Sequence, residues 1–242
     1  MPVLRQDPMI RAWRIPLSPL EVRETRPAHL HAVVAGMLDR RHWDTAKPWS
    51  LAPLSVEDGI PAMTVITTND DAASLLLESA NPGELIRLGQ QEARFLAPPM
   101  LDAEVSAEQI LALPRDNAVV IRFLTPTTFR RGHRSMPFPE PGKVVNSLRS
   151  RWRTCFGDAG ADVISARPKA DDIWISDLDG RNKVLRVSNS TVSGFVGRIR
   201  YACATEESAA LFGALTAMAT LTGVGSYTTR TLGRISRERT WG

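Results

Sequence analysis

The sequence of 242 residues predicts an α+β protein built from two similar units in tandem. The main observation is the order after Pro114, where a strand, a helix, two strands, a helix and a strand follow one another. Residues 1–115 fit the same order more loosely, and the length suits two domains of about 110–120 residues. The order β-α-β-β-α-β is that of a ferredoxin-like (RRM-like) unit. We therefore expect one such domain in residues 1–115 and a second in residues 116–242.

The elements of the first half are predicted from apolar periodicity. An alternating segment near Met9–Ile15 indicates a strand, and the stripe Leu30, Val33, Val34, Met37, Leu38 predicts a helix from about Ala28 to Arg41. The dipeptide Lys47-Pro48 prevents that helix from continuing much further. Strands are expected at Met63–Thr67 and Leu85–Arg94, and Ser106 with Gln109 forms a capping box that opens a short helix.

The second half gives clearer signals. Residues Ala118–Leu124 predict a strand, and Pro141 opens a helix with the stripe Val144, Val145, Leu148, Trp152 that stops near Gly157. Two strands follow near Val184–Ser188 and Gly194–Tyr201, then a helix from about Glu206 to Thr222 and a last strand at Leu232–Arg237. We interpret Asp171-Asp172 and the pair Asp177 and Asp179 as turns that flank a strand containing Trp174.

Composition excludes several classes of protein. With 43% hydrophobic residues, disorder is not expected as the main state, and no apolar run approaches the ~20 residues of a membrane span. The first residues lack the apolar core of a secretory signal, and Cys155 and Cys203 match neither a zinc spacing nor a disulfide framework. We expect a cytoplasmic protein without a membrane partner.

Charge is divided unevenly along the chain. Residues 1–115 carry 11 basic and 15 acidic side chains, whereas residues 116–242 carry 19 basic and 11 acidic ones. Of the 30 basic residues 26 are arginine, whose planar fork suits phosphate and base recognition. A GC-rich genome also enriches arginine, but it does not explain the difference between the halves. A polyanionic partner is expected for the second half.

Three stretches, taken together, resemble a known family. They are the glycine-rich loop from Gly223 to Gly233, the stretch from Thr125 to Trp152 that includes Met136-Pro137-Phe138-Pro139, and the early helix with His42 and Lys47-Pro48-Trp49-Ser50. In this order and spacing they resemble the CRISPR repeat-RNA processing endoribonuclease of the RAMP superfamily. The resemblance implies tandem ferredoxin-like domains and cleavage of CRISPR precursor RNA within its repeats. One departure is Thr231, where the family often carries a further glycine.

The candidate catalytic residues are histidines and one lysine. Metal-free RNA cleavage needs proton transfer, for which histidine is suited near neutral pH, and a cation that stabilises the extra charge. The resemblance matches His42 and Lys47 to the family's histidine and lysine, with His31 or His29 matching an earlier histidine that some members carry. On one helix His29 and His31 lie about 200° apart, so both serve one site only if His29 precedes the helix. His31 and His42 share a face but meet only if the helix ends before His42.

The candidate RNA-binding residues are cations and the glycine-rich loop. The run from Arg122 to Arg153 has eight basic residues against one acid, and Arg149 and Arg153 share a helical face. In the loop, glycines allow close approach of a phosphate chain, and Tyr227 either stacks on a base or packs in the core. The set is Arg130, Arg131, Arg134, Arg149, Arg153, Gly223, Gly225, Tyr227, Arg230 and Arg234.

Alternatives remain open at this point. The first alternative is that the chain is a metal-independent endoribonuclease that leaves a 2′,3′-cyclic phosphate or 3′-phosphate and a 5′-hydroxyl. Alternatively, it is a non-catalytic repeat-RNA-binding subunit of a CRISPR effector complex, or a small-molecule enzyme on the same fold. No cofactor and no metal are expected, because no carboxylate cluster is evident. The expected partners are CRISPR repeat RNA and other effector subunits, with the chain as a monomer or homodimer.

Overall fold

The computed structural model describes residues 8–39, 47–132, 134–169, 171–187 and 190–239. The helices in these ranges are α1 (Pro27–Leu38), α2 (Asp70–Ser79), α3 (Ala107–Leu111), α4 (Pro141–Phe156), α5 (Ala161–Ile164) and α6 (Glu206–Thr222). The strands are β1 (Met9–Pro16), β2 (Trp49–Leu51), β3 (Ser55–Glu57), β4 (Ile60–Thr67), β5 (Leu85–Leu88), β6 (Gln91–Arg94), β7 (Met100–Ser106), β8 (Ala118–Thr127), β9 (Phe129–Arg131), β10 (Arg134–Met136), β11 (Ile173–Val187), β12 (Ser190–Cys203) and β13 (Ile235–Glu238).

Two antiparallel sheets with the same connectivity organise the chain. The first has the order β2-β4-β1-β7, with β3 also paired to β4, and the second has the order β11-β12-β8-β13. In both, the first strand lies between the third and fourth strands of its unit, as in a ferredoxin-like sheet. The predicted tandem ferredoxin-like fold is confirmed. The domain boundary between residues 115 and 116 stays a prediction, since one apolar core includes Ile10 and Ile66 together with α4 and α6.

Helices α4 and α6 follow the predicted apolar stripes. The stripe Val144, Val145, Leu148, Trp152 is buried, and α4 ends before Gly157. Helix α6 begins after Thr205, whose side-chain oxygen accepts a hydrogen bond from Ser208 N–H, and ends before Gly223. Helices α4 and α6 pack on each other, and both also contact β1 of the first half. The two helices therefore bring the second half of the chain against the first half.

Three expectations were inaccurate. Residues Leu85–Arg94 form the β5–β6 hairpin rather than one strand, because Gly89 adopts a positive φ of 73° that turns the chain. Asp177 and Asp179 lie inside the 15-residue strand β11 and not in turns. Helix α1 ends at Leu38, with Asp39 as its C-cap, rather than near Arg41. His42 and His133 lie outside the described residues.

Candidate functional site

A cleft of about 360 Å³ lies where the two halves of the chain meet. Its walls come from α4, from the glycine-rich loop and from Lys47, which precedes β2. We call it the junction cleft; its lining residues are Lys47, Ser147, Ser150, Arg151, Thr154, Gly223, Gly225, Tyr227, Thr228 and Thr229. The lining is mostly polar and includes two cations, as expected for a site that receives an anionic group.

The glycine-rich loop, residues 223–233, is held by close backbone contacts. Val224 N–H donates to the carbonyl of Gly233 at 2.9 Å, and Ser226 N–H donates to the carbonyl of Thr128 at 2.8 Å. Gly225 has φ 80°, and a Cβ there would collide with the carbonyl oxygen of Thr128. Glycine is therefore required at this position by the packing of the loop on the end of β8. The amide of Gly225 also donates to Ser147 Oγ of α4 at 3.0 Å.

Two residues of the loop other than glycine adopt left-handed backbone conformations. Tyr227 has φ 65° and Thr231 has φ 62°. A β-branched residue is strained in this region, and Thr231 is the position at which the family often has glycine. The Tyr227 ring lies under Arg130, with the guanidinium carbon 5.3 Å from the ring centroid, and Arg130 Nη2 donates to the Tyr227 hydroxyl at 2.9 Å.

His31 reaches the loop from the first half of the chain. Its Nδ1 lies 2.9 Å from the carbonyl oxygen of Thr229, and its ring centroid lies 5.4 Å from that of Trp49. A carbonyl oxygen accepts only, so Nδ1 carries the hydrogen and Nε2 of the neutral ring keeps its lone pair. Burial lowers the pKa of His31 below 6.5, and the positive charge of Arg230 acts in the same direction. The neutral ring is thus favoured at neutral pH.

Lys47 is held by a carboxylate at the end of α1. Its Nζ lies 2.7 Å from Asp39 Oδ2, at the distance of an ion pair but without the angles of a hydrogen bond. The other carboxylate oxygen of Asp39 accepts a hydrogen bond from Trp49 Nε1 at 2.9 Å. Asp39, with a side chain that is 5% exposed, therefore fixes both Lys47 and the ring that packs on His31.

Arg151 supplies the second cation of the junction cleft. Its Nη2 donates to Thr228 Oγ1 at 2.6 Å. Burial lowers the pKa of Arg151 below its ordinary value, although the group stays charged near neutrality. The sequence placed Arg151 only within the basic run. A sharper signal was available, because Ser147, Ser150, Arg151 and Thr154 recur at helical spacing and form one polar stripe on α4.

Of the two remaining candidate histidines, His29 lies in the described ranges and is not among the residues that line the cleft. His29 lies within α1, so the requirement that it precede the helix is not met. Its Nδ1 accepts a hydrogen bond from Arg26 N–H at 3.3 Å, and its ring packs against Gly89 of the β5–β6 turn. The end of α1 at Leu38 meets the condition set for His42, which itself lies outside the described residues.

The predicted RNA-binding arginines other than Arg130 and Arg230 fall into two groups. Arg131, Arg134 and Arg153 are exposed, the first two paired across the β9–β10 hairpin. Arg149 and Arg234 instead donate to main-chain carbonyls, Arg149 to Ile164 at 2.8 Å and to Ala166, and Arg234 to Leu221. These contacts tie helix ends to the core, and Arg230 lies in the turn Thr228–Arg230 beside His31.

Two negative findings concern the described residues. Within these ranges, no three or more His, Cys, Asp or Glu side chains gather as a set that can hold a metal ion. No helix among them is long and apolar enough to cross a membrane.

Comparison with known proteins bears on this site. Residues 121–235 match the family model described as CRISPR-associated endoribonuclease Cas6. The predicted family resemblance is confirmed. The matched region contains α4 with Arg151, the β9–β10 hairpin and the whole glycine-rich loop, and it supports endoribonuclease activity. None of the curated protein sequences matches this chain.

Solved Cas6 structures extend the likeness to both halves. A Cas6 product complex superimposes with a TM-score of 0.79 at 24% identity, covering 95% of this chain and 99% of that chain. A Cas6 substrate mimic complex gives 0.77 at 26% identity, with 95% and 99% covered. Thermus thermophilus Cas6 gives 0.66 at 22% identity, with 96% and 100% covered. The fold of Cas6 therefore accounts for nearly the entire chain.

Proposed function

We propose that this chain is a metal-independent endoribonuclease that cleaves CRISPR precursor RNA within its repeats and releases guide RNAs. The observation that carries the proposal is the meeting of His31, Lys47 and Arg151 around residues 228–229 of the glycine-rich loop. The solved Cas6 complexes with a substrate mimic and with product support RNA as the ligand. The repeat RNA lies across the junction cleft, with the cleaved phosphate at the two cations.

The reaction assigns a role to each of these groups. A neutral histidine takes the proton of the 2′-hydroxyl, the 2′-oxygen bonds to phosphorus, and the bond from phosphorus to the 5′-oxygen breaks. The leaving 5′-oxygen takes a proton from a general acid, which gives a 2′,3′-cyclic phosphate and a 5′-hydroxyl. Lys47 and Arg151 stabilise the additional negative charge on the phosphoryl oxygens.

His31 suits the base because its lone pair is on Nε2 and burial lowers its pKa. His42 is proposed as the second proton-transfer residue, on the strength of the family pattern. His29 is the weakest catalytic candidate, since it packs on the β5–β6 turn. Outside the cleft, the exposed Arg131, Arg134 and Arg153 are proposed to contact phosphates along the bound RNA.

A cleavage assay in EDTA tests the proposal, with the repeat RNA of the same genome under single-turnover conditions. We expect one cut in the wild type, and no cut in a substrate that carries a 2′-deoxy at the cleaved position but still binds. His31→Ala, His42→Ala, Lys47→Met and Arg151→Met are each expected to lose about 10²–10⁴-fold in rate. Arg115→Met, at an exposed position away from the cleft, is the matched control and keeps the wild-type rate.

The alternative is a repeat-RNA-binding subunit without catalysis, and the same assay separates the two. Tight, salt-sensitive binding with an intact RNA overturns the nuclease and supports the subunit. Binding to the repeat that is no tighter than to an unrelated RNA of equal length overturns both. A cytoplasmic location and association with other effector subunits belong to this proposal as well.

A further inference from the structure

Strand β11 has a long open edge. In the described ranges its strand pairing is with β12 alone, and it forms the end of the second sheet. Residues from Ser176 to Val184 are all exposed, including Leu178 at 45% and Val184 at 72%. An open strand of this length presents unpaired N–H and C=O groups, which proteins usually cover or protect with charge. We call the segment Asp177–Val184 the β11 edge.

The charges of the β11 edge are arranged symmetrically with opposite sign. Asp177 and Asp179 precede Gly180, and Arg181 and Lys183 follow it at the same distances. The register with β12 is unbroken from Asp177 to Val187, so these four odd-numbered residues lie on one face of the strand. A protective edge of one sign repels its own copy. In the β11 edge, by contrast, each charged residue has a residue of opposite charge at the same distance on the other side of Gly180.

Antiparallel pairing of two copies is selective for one register. With Gly180 opposite Gly180, Asp179 faces Arg181 and Asp177 faces Lys183, and symmetry repeats both pairs. A shift by two residues in one direction places Asp179 opposite Asp179, and in the other direction it places Arg181 opposite Arg181. Like charges directly opposite each other are destabilising, so only the register centred on Gly180 satisfies every charge.

We propose that the β11 edge binds a second copy of this chain by antiparallel strand addition around a two-fold axis at Gly180. The two four-stranded sheets then form one continuous sheet, with main-chain hydrogen bonds across the axis and four ion pairs on one face. In the same register Leu178 faces Asn182 on the other side of the strand. This interface is separate from the junction cleft and does not depend on the proposed function.

Two contacts within the chain compete with this pairing. Asp179 lies 3.9 Å from Arg198 on β12, and Asp179 is 74% exposed in its side chain, so the contact is loose. Asp177 Oδ1 accepts from the Leu178 amide at 2.8 Å. RNA fits the edge poorly, because Asp177 and Asp179 on the same face repel phosphates.

The test is the oligomeric state of RNA-free protein, measured by analytical ultracentrifugation over a wide concentration range. The wild type is expected to dimerise. Arg181→Asp with Lys183→Asp makes the edge wholly acidic, and Asp177→Lys with Asp179→Arg makes it wholly basic. Each double variant is expected to raise the dimer Kd by roughly tenfold or more, because attractive pairs become repulsive ones. Arg23→Asp with Arg87→Asp, two exposed positions in the first half, is the matched charge control and stays dimeric.

The decisive experiment mixes the two double variants. The acidic edge of one is complementary to the basic edge of the other, so heterodimers are expected at wild-type affinity, and the fourfold exchange in one chain restores the homodimer. A monomeric wild type overturns the proposal, as does a dimer that both double variants leave intact. Heterodimers that do not form, while both variants fold as judged by circular dichroism, also overturn it. Cleavage of repeat RNA is measured in parallel, and its rate reports on the proposed function independently.

Discussion

The carboxylate of Asp39 offers the sharpest test of how the junction cleft is built. Replacing it in Asp39→Asn keeps an oxygen that accepts from Trp49 Nε1 but removes the charge that holds Lys47. Lys47 is then free to leave its position at the cleft, although no group that touches RNA has been altered. The substitution therefore separates the positioning of the cation from its presence.

The size of the effect follows from burial. Removing one partner of a fully buried ion pair costs about 3–5 kcal/mol, and an exposed pair contributes at most about 1 kcal/mol. The side chain of Asp39 is 5% exposed and Lys47 Nζ is itself buried, although 20% of the Lys47 side chain is exposed at the open junction cleft, so the pair lies between these two cases. We expect Asp39→Asn to lower the free energy of unfolding by about 2 kcal/mol. The cleavage rate should fall by about 10–10²-fold, since displacement of a catalytic group by about 1 Å can have that effect.

A double-mutant cycle measures the coupling directly. Urea unfolding and single-turnover cleavage are recorded for Asp39→Asn, Lys47→Met and the double variant, with exposed Asp102→Asn as the control. If the two residues act as a pair, the double variant is hardly worse than Lys47→Met alone in either assay. Additive losses, with a coupling free energy below about 0.5 kcal/mol, would refute the reasoning.

Three further expectations rest on single sites. Thermal melts should give Thr231→Gly a free energy of unfolding about 1 kcal/mol higher than that of Thr231→Ala, because φ is 62° at this position; equal stability would contradict the strain. Because burial lowers the pKa of His31, the neutral ring is protonated only below pH 6.5, and the acidic limb of the pH–rate profile should lie below that pH. An acidic limb above pH 6.5 would argue against His31 as the base. Burial raises the pKa of Cys155 and of Cys203 to about 11, so both thiols should resist a thiol reagent until urea unfolds the chain; rapid native labelling contradicts this.

The elements that could be predicted are those in which the pattern of apolar and polar residues reflects which positions are buried. Helix α6 was placed at its observed bounds because its apolar face and Gly223 are local signals. Strand β11 was predicted only in part, because most of its residues are exposed and a strand exposed on both faces shows no alternation of apolar and polar residues. Strands β2 and β3 have three residues each, which is too short for a period to be recognised.

The candidate site was predictable in its chemistry and not in its contacts. His31 and Lys47 were candidates because the family resemblance matched them to a histidine and a lysine, residue types that can transfer protons or stabilise a phosphate near neutral pH. Asp39 gave no such signal, because its importance depends on Lys47 and Trp49 folding back onto the end of α1. Arg151 was one cation in a basic run until its contact with Thr228, 77 residues away, distinguished it.

The glycine-rich loop joins the two halves of the site, and this explains its strained backbone. Its residue Thr229 binds His31 from a position 198 residues earlier in the chain, and the neighbouring Thr228 binds Arg151 of α4. To present both contacts in adjacent residues, the turn Thr228–Arg230 is flanked by Tyr227 and Thr231 in left-handed conformations. Such conformations cost about 1–3 kcal/mol each and persist only where surrounding contacts fix them. The backbone bonds of Val224 and Ser226, together with Arg130 on Tyr227, are the contacts that do so here. The strained loop therefore joins the proposed base His31 to the cleft-lining Thr229 and the proposed phosphate-binding Arg151 to Thr228.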